Sequence, residues 1–143
     1  MNTTPLRGGC HCGRLGWEAR LSQSAATLSP RACDCSFCTK HGAVWFSDAH
    51  GSVHLRLRGE PLRYRQGSAQ AEFIACSHCA VLVMVTCLID ERTHAALNAR
   101  TVDGPVPFAP EQPASPQRLD ADDKRERWSQ LWFPDVRFDY VDD

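Results

Sequence analysis

The chain has 143 residues, 43% of them hydrophobic and 23% charged, with a formal net charge of −1 at pH 7. That length accommodates one domain with a sizeable core and no covalent staples. The balanced charge argues against a nucleic acid or an anionic membrane recruited by electrostatics.

The N-terminal MNTTPLRGGCHCG contains no apolar run, so no signal peptide is expected. The apolar VLVMVTCLI (81–89) is strand-sized rather than membrane-spanning. The expectation is a cytoplasmic protein with no membrane and no nucleic-acid partner. RLGWEARL (14–21) alternates Leu15, Trp17, Ala19 and Leu21 against polar neighbours, the period of a half-buried strand. GAVWFS (42–47) is a short apolar strand, with Trp45 and Phe46 as core. VHLRLR (53–58) and LRYR (62–65), joined by GEP, predict a hairpin. One face would carry Val53, Leu55, Leu57, Leu62 and Tyr64, the other His54, Arg56, Arg58, Arg63 and Arg65. That arginine row is either an anion-binding face or the wet side of the hairpin. AEFIAC (71–76) and VLVMVTCL (81–88) are two further strands. ERTHAALNAR (91–100) is the one helical candidate before residue 104, against its strand-like neighbours.

Composition changes at residue 104. GPVPFAPEQPASP is too rich in proline for a strand or helix interior. LDADDKRERWSQLWFP places carboxylates early, arginines later, and Trp128, Leu131 and Trp132 on one apolar face, which predicts a short amphipathic helix. The division is therefore an all-β domain over residues 1–104 and an extension over 105–143. The extension's tryptophans would pack on the domain or on a second copy, the latter making a homodimer.

Eight cysteines, at positions 10, 12, 33, 35, 38, 76, 79 and 87, are the outlier. Cys-x-Cys and Cys-x-x-Cys neighbours rarely meet disulfide geometry, yet they can point both sulfurs at one metal. GGCHCG and CSHC each sit where strand meets turn. Cys10, Cys12, Cys76 and Cys79 together would make a closed four-thiolate zinc site of structural type, with His11 and His78 as turn residues. Cys33, Cys35 and Cys38 would share a second Zn²⁺. Its fourth position falls to Cys87, Asp34, His41, water or a substrate sulfur. Three thiolates make zinc a weaker Lewis acid than neutral histidines do, which disfavours hydrolysis. A thiol entering an open position would still lose its proton, which suits attack on a small carbonyl compound. Lys40 and His41 follow directly and are candidates for orienting substrate or moving a proton. The rival reading has both zincs structural and the chain a binding or scaffold module.

GGCHCG, CDCSFCTKHGA and FIACSHC, in that order, resemble the glutathione-dependent formaldehyde-activating enzyme family, which also contains centromere protein V. The likeness covers roughly residues 7–104, and Ser36, Lys40, Gly42 and Asp90 also match. The resemblance implies an Mss4-like all-β fold of stacked antiparallel sheets. It also implies a structural zinc on Cys10, Cys12, Cys76 and Cys79 and a catalytic zinc on Cys33, Cys35 and Cys38. The implied activity is that of a carbon–sulfur lyase adding glutathione, or a similar thiol, to formaldehyde or another small aldehyde. One departure stands out: Ala80 follows Cys79 where the family pattern has glycine, so a left-handed conformation there would be strained.

Overall fold

The computed structural model describes residues 5–66 and 70–141. In chain order its strands are β1 (Leu6–Gly9), β2 (Leu15–Arg20), β3 (Arg31–Cys33), β4 (Trp45–Phe46), β5 (Ser52–Leu57), β6 (Leu62–Arg65), β7 (Glu72–Ala75), β8 (Leu82–Ile89), β9 (Arg92–Asn98), β10 (Gln112–Ala114) and β11 (Asp135–Tyr140). Two α-helices, α1 (Ser36–His41) and α2 (Ala121–Leu131), interrupt them. Among the described residues the strands form a four-stranded sheet, β1-β2-β5-β11, and a seven-stranded sheet, β10-β3-β4-β9-β8-β7-β6. The fold is therefore all-β with two stacked sheets and a short C-terminal helix. Most pairings are antiparallel, but β3–β10 and β5–β11 run parallel. Both use a strand from the C-terminal segment, which returns over long connections of the kind parallel pairing requires.

The alternation in β2 and β5 explains the inner layer. Leu15, Trp17 and Ala19, with Val53, Leu55 and Leu57, bury one face of the small sheet against Phe46, Ile74, Met84, Leu97 and Phe133 of the rest of the fold. The opposite face of the large sheet carries Trp45, Phe73, Val85, Cys87 and Ala96, which pack with Cys35 and Cys38 at α1 and with Trp128 and Trp132 at α2. β8 is thus covered on both sides, which is why it reads as a nearly continuous apolar run.

Several local expectations are corrected. VHLRLR and LRYR do not form a hairpin: β5 lies between β2 and β11, whereas β6 pairs with β7 at the edge of the other sheet. Gly59, at φ 89°, sits in the bend that leads from one sheet to the other. Alternation specifies which side chains share a face, not which strand lies alongside. Val53, Leu55 and Leu57 are buried, but Leu62 and Tyr64 are 52% and 54% exposed. The arginine row is divided between the sheets, and Arg63 and Arg65 both pair with Glu72.

The helical candidate 91–100 is mostly strand, β9. Asp90 and Glu91, both at positive φ, make a tight two-residue turn that folds β9 back on β8. Burial of Ala95, Ala96 and Leu97 overrides their helical preference. The proline-rich segment does contribute a strand, β10, at the sheet edge, where Pro113 costs little in lost pairing. Segment 105–143 also supplies β11, α2 and Phe133, so its tryptophans pack on the domain itself.

Two local backbone features bear on the first cysteine motif and on the departure at residue 80. A side chain at Gly8 would meet the Thr101 carbonyl oxygen at 2.2 Å and the Trp17 ring at 2.3 Å, so this glycine serves close packing. Ala80 adopts φ 68°, the left-handed conformation. Ala80→Gly should therefore raise unfolding stability by about 1 kcal/mol, measured by denaturant titration of the metal-loaded protein. An unchanged or lower midpoint would show that the turn carries no such strain.

Candidate metal centres

The loops β1–β2 and β7–β8 bring Cys10, Cys12, Cys76 and Cys79 together, their sulfurs all within 4.8 Å of one another. The Cys10–Cys12 and Cys12–Cys76 sulfur separations are 3.7 and 3.6 Å. A tetrahedral metal–thiolate centre with bonds of about 2.3 Å has edges of about 3.8 Å, so the group fits such an ion. Local backbone geometry explains the convergence. The Cys10 N–H donates to the Leu15 carbonyl at 2.9 Å, and the Leu15 N–H returns to the Cys10 sulfur at 3.2 Å. In the second loop the Cys76 N–H donates to Val81, while the His78 and Cys79 N–H groups donate to the Cys76 sulfur at 3.3 and 3.4 Å. These hydrogen bonds shape each loop around its sulfurs.

Burial pushes the Cys10 thiol up to about 11, although the Leu15 N–H pulls the other way. Burial also opposes ionisation of Cys79, but backbone donors at Val81 and Cys12 and thiols at Cys76 and Cys10 bring it down to about 6. Split titration within one sulfur group is what a bound dication would relieve. Cys76 is buried and Cys12 exposed.

The second group is Cys33, Cys35 and Cys38, again with sulfurs within 4.8 Å. Cys33 ends β3, Cys35 caps the N-terminus of α1 and accepts from the Cys38 N–H at 3.4 Å, and Cys38 lies one turn into the helix. Gly42, at φ 64°, closes the helix in a left-handed cap. Hydrogen bonding from Cys38 leads the effects that lower the Cys33 thiol to about 6. The same bond holds the proton on Cys38, whose pKa is pushed far up, with burial adding to the rise. Trp45 donates toward Cys38, and the Gln66 amide lies 3.7 Å from the Cys35 sulfur.

Among the described residues no fourth cysteine, histidine or carboxylate joins this group. Cys87 is buried in the same apolar layer, in phase with Val85 and Ile89. Its thiol donates weakly to the Leu88 carbonyl at 3.8 Å, and burial raises its pKa. Asp34 takes a 2.5 Å hydrogen bond from Ser115. Lys40 and His41 are exposed in the last turn of α1, the His41 ring resting on Phe37 with centroids 4.7 Å apart. The structure thus brings the seven cysteines into two groups and does not bring Lys40 or His41 to the second one.

The three-cysteine group opens onto a cavity of about 370 Å³. Its walls include Trp45 and Phe73 from the large sheet, Gln66, Arg31, Lys124, Arg127, Trp128 and Leu131 of α2, and Trp132 just after that helix. Trp45 is therefore both core and cavity wall. Trp128 and Trp132 stack with centroids 4.7 Å apart. Sequence reasoning found the tryptophan stripe but not the cations beside it. The signal was present in the spacing, since Lys124, Arg127, Trp128 and Leu131 fall at i, i+3, i+4 and i+7.

No protein-family model matches the chain, and no curated protein matches it. Among solved structures, the crystal structure of a Rhodobacter sphaeroides protein, a structural genomics target, is similar to it. The TM-score is 0.54 at 26% identity, over 74% of this chain and 99% of that one. Among the described residues no helix is long and apolar enough to cross a membrane.

Proposed function

We propose that the chain binds two zinc ions, one structural and one functional. We further propose that it forms or breaks the carbon–sulfur bond between a small thiol, glutathione-like, and a small aldehyde such as formaldehyde, as in the family its cysteine signatures resemble. The supporting observation is the asymmetry of the two sulfur groups. One is complete with four cysteines; the other has three and, among the described residues, faces a cavity instead of a fourth donor. All-sulfur donor sets select zinc over magnesium or calcium. Bound at Cys33, Cys35 and Cys38, zinc supplies a position at which an incoming thiol loses its proton near neutral pH.

The chain's own residues define the rest. In the addition direction the thiol sulfur attacks the carbonyl carbon and a carbon–sulfur bond forms. The carbonyl π pair moves to oxygen, which takes up one proton, so thiol and aldehyde combine without oxidant or reductant. Among the described residues no histidine or carboxylate lines the cavity, so solvent is left to carry that proton. Trp45, Phe73, Trp128 and Trp132 exclude bulk water from part of the wall, which strengthens polar contacts inside. Trp45 and Gln66 hold Cys38 and Cys35 by hydrogen bonds. Lys40 and His41 take no part in this mechanism.

The test is exchange NMR of ¹³C-formaldehyde with a small thiol, in the presence of the zinc-loaded protein. Acceleration of adduct formation in proportion to protein is expected, and no acceleration at any protein concentration would contradict the proposal.

A further inference from the structure

The cavity's charge is one-sided. Arg31, Lys124 and Arg127 line it, and among the described residues no carboxylate does. Among the described residues none of these three cations forms an ion pair. Arg31 is held by a 2.7 Å hydrogen bond to the Ser47 hydroxyl, which in turn donates to the Leu131 carbonyl at the end of α2, also at 2.7 Å. Arg31 is thus fixed at the base of the helix that carries the other two. Other arginines of the fold do find partners: Arg63 and Arg65 on Glu72, Arg100 on Glu111, Arg125 on Asp122.

One explanation is that the cations only balance the sulfur cluster. Three thiolates with one Zn²⁺ carry a single negative charge, so a positive surplus remains after that balance. Keeping a guanidinium half-buried without a carboxylate is costly unless something else supplies the anion. The remaining wall is aromatic and apolar, suited to the uncharged body of a small organic molecule.

We propose that the cavity is a binding site for a small organic anion. Its carboxylate or phosphate is held by Arg31, Lys124 and Arg127, and its body lies against Trp128 and Trp132. This rests on the thiol reading above and deepens it: Arg31 and the α2 cations are the groups that hold the anionic end of the thiol substrate.

Three of the four tryptophans, Trp45, Trp128 and Trp132, line the cavity, so intrinsic fluorescence reports occupancy without any turnover. Zinc-loaded protein is titrated with 3-mercaptopropionate, its uncharged amide, propionate and ethyl phosphate, with heat release measured in parallel. The anionic thiol should bind at least about tenfold more tightly than its amide, the scale of a hydrogen bond to a charged group. The exposed-side double variant Lys124→Met/Arg127→Met should erase most of that difference while keeping the thermal midpoint of the parent. It serves as the primary variant because Arg31→Met removes a brace of α2 and risks the fold. Equal affinity for the acid and the amide, in the parent protein, would overturn the anion site while leaving the thiol reading intact. Propionate binding as tightly as 3-mercaptopropionate would overturn the thiol reading while leaving the anion site intact. Comparison of propionate with ethyl phosphate decides which head group is the natural one. No binding by either, together with equal affinity of acid and amide, defeats the proposal.

Discussion

Cys76→Ser should unfold the protein. Cys76 is 1% exposed and belongs to the core as well as to the four-sulfur group. Its sulfur lies 3.6 Å from that of Cys12, so it ties the β7–β8 turn of the large sheet to the β1–β2 loop of the small one. A structural zinc site contributes on the order of 10 kcal/mol of binding free energy to folding. A whole domain has only about 5–15 kcal/mol of net stability, so most of it rests on this knot. Serine supplies a weak oxygen donor in a site made for sulfur. Far-ultraviolet circular dichroism and proteolysis should report a largely unfolded chain at 25 °C. Chelation of metal from the parent protein should give the same state. A folded Cys76→Ser protein with a cooperative unfolding transition near that of the parent would contradict the structural role.

Cys35→Ser should do the opposite: it should spare the fold and abolish the chemistry. Cys35 caps the N-terminus of α1, and serine is one of the preferred residues at that position, so the helix keeps its cap. The group it belongs to sits on the helix-covered face of the large sheet and does not join the two sheets. The expected cost in stability is about 1–2 kcal/mol, a fall of several degrees in melting temperature. Zinc content should drop by one equivalent per chain, and adduct formation should fall to the uncatalysed rate. Full activity with one zinc lost would move the chemistry elsewhere; unfolding would make the second group structural.

The grouping of seven cysteines into a set of four and a set of three was already legible in their spacing. Paired cysteines in two strand-to-turn knuckles specify a closed site almost by themselves, and the structure supplies the backbone N–H donors that make each knuckle work. The alternation in β2 and β5 and the apolar run of β8 likewise announced β-structure, while the stacking of two sheets was implied only by the family resemblance. Strand partners were less legible. β5 and β6 are neighbours in sequence and alternate in phase, yet the bend at Gly59 sends them into different sheets, and nothing in a period of two encodes that choice. β9 was obscured because Ala95, Ala96 and Leu97 favour helix in isolation, and only the Asp90–Glu91 turn and burial decide otherwise. The cavity was the least visible feature. Arg31 and the pair Lys124 and Arg127 are some ninety residues apart in sequence. They meet only because α2 folds back over the large sheet, a tertiary contact with no local signature.

Whether the three-cysteine site is open decides between a thiol-binding centre and a second structural one. Zinc-edge X-ray absorption on fully metallated protein, stripped of low-molecular-weight thiols, counts the sulfurs around each ion. Two zincs sharing seven thiolates should average about 3.5 sulfurs, with a lighter ligand completing four-coordination. The average should rise toward about 4 when 3-mercaptopropionate is added. An average of about 4 before any thiol is added would mean that an eighth sulfur, that of Cys87, closes the site. In that case the second zinc is structural, and the chain is a scaffold rather than an enzyme.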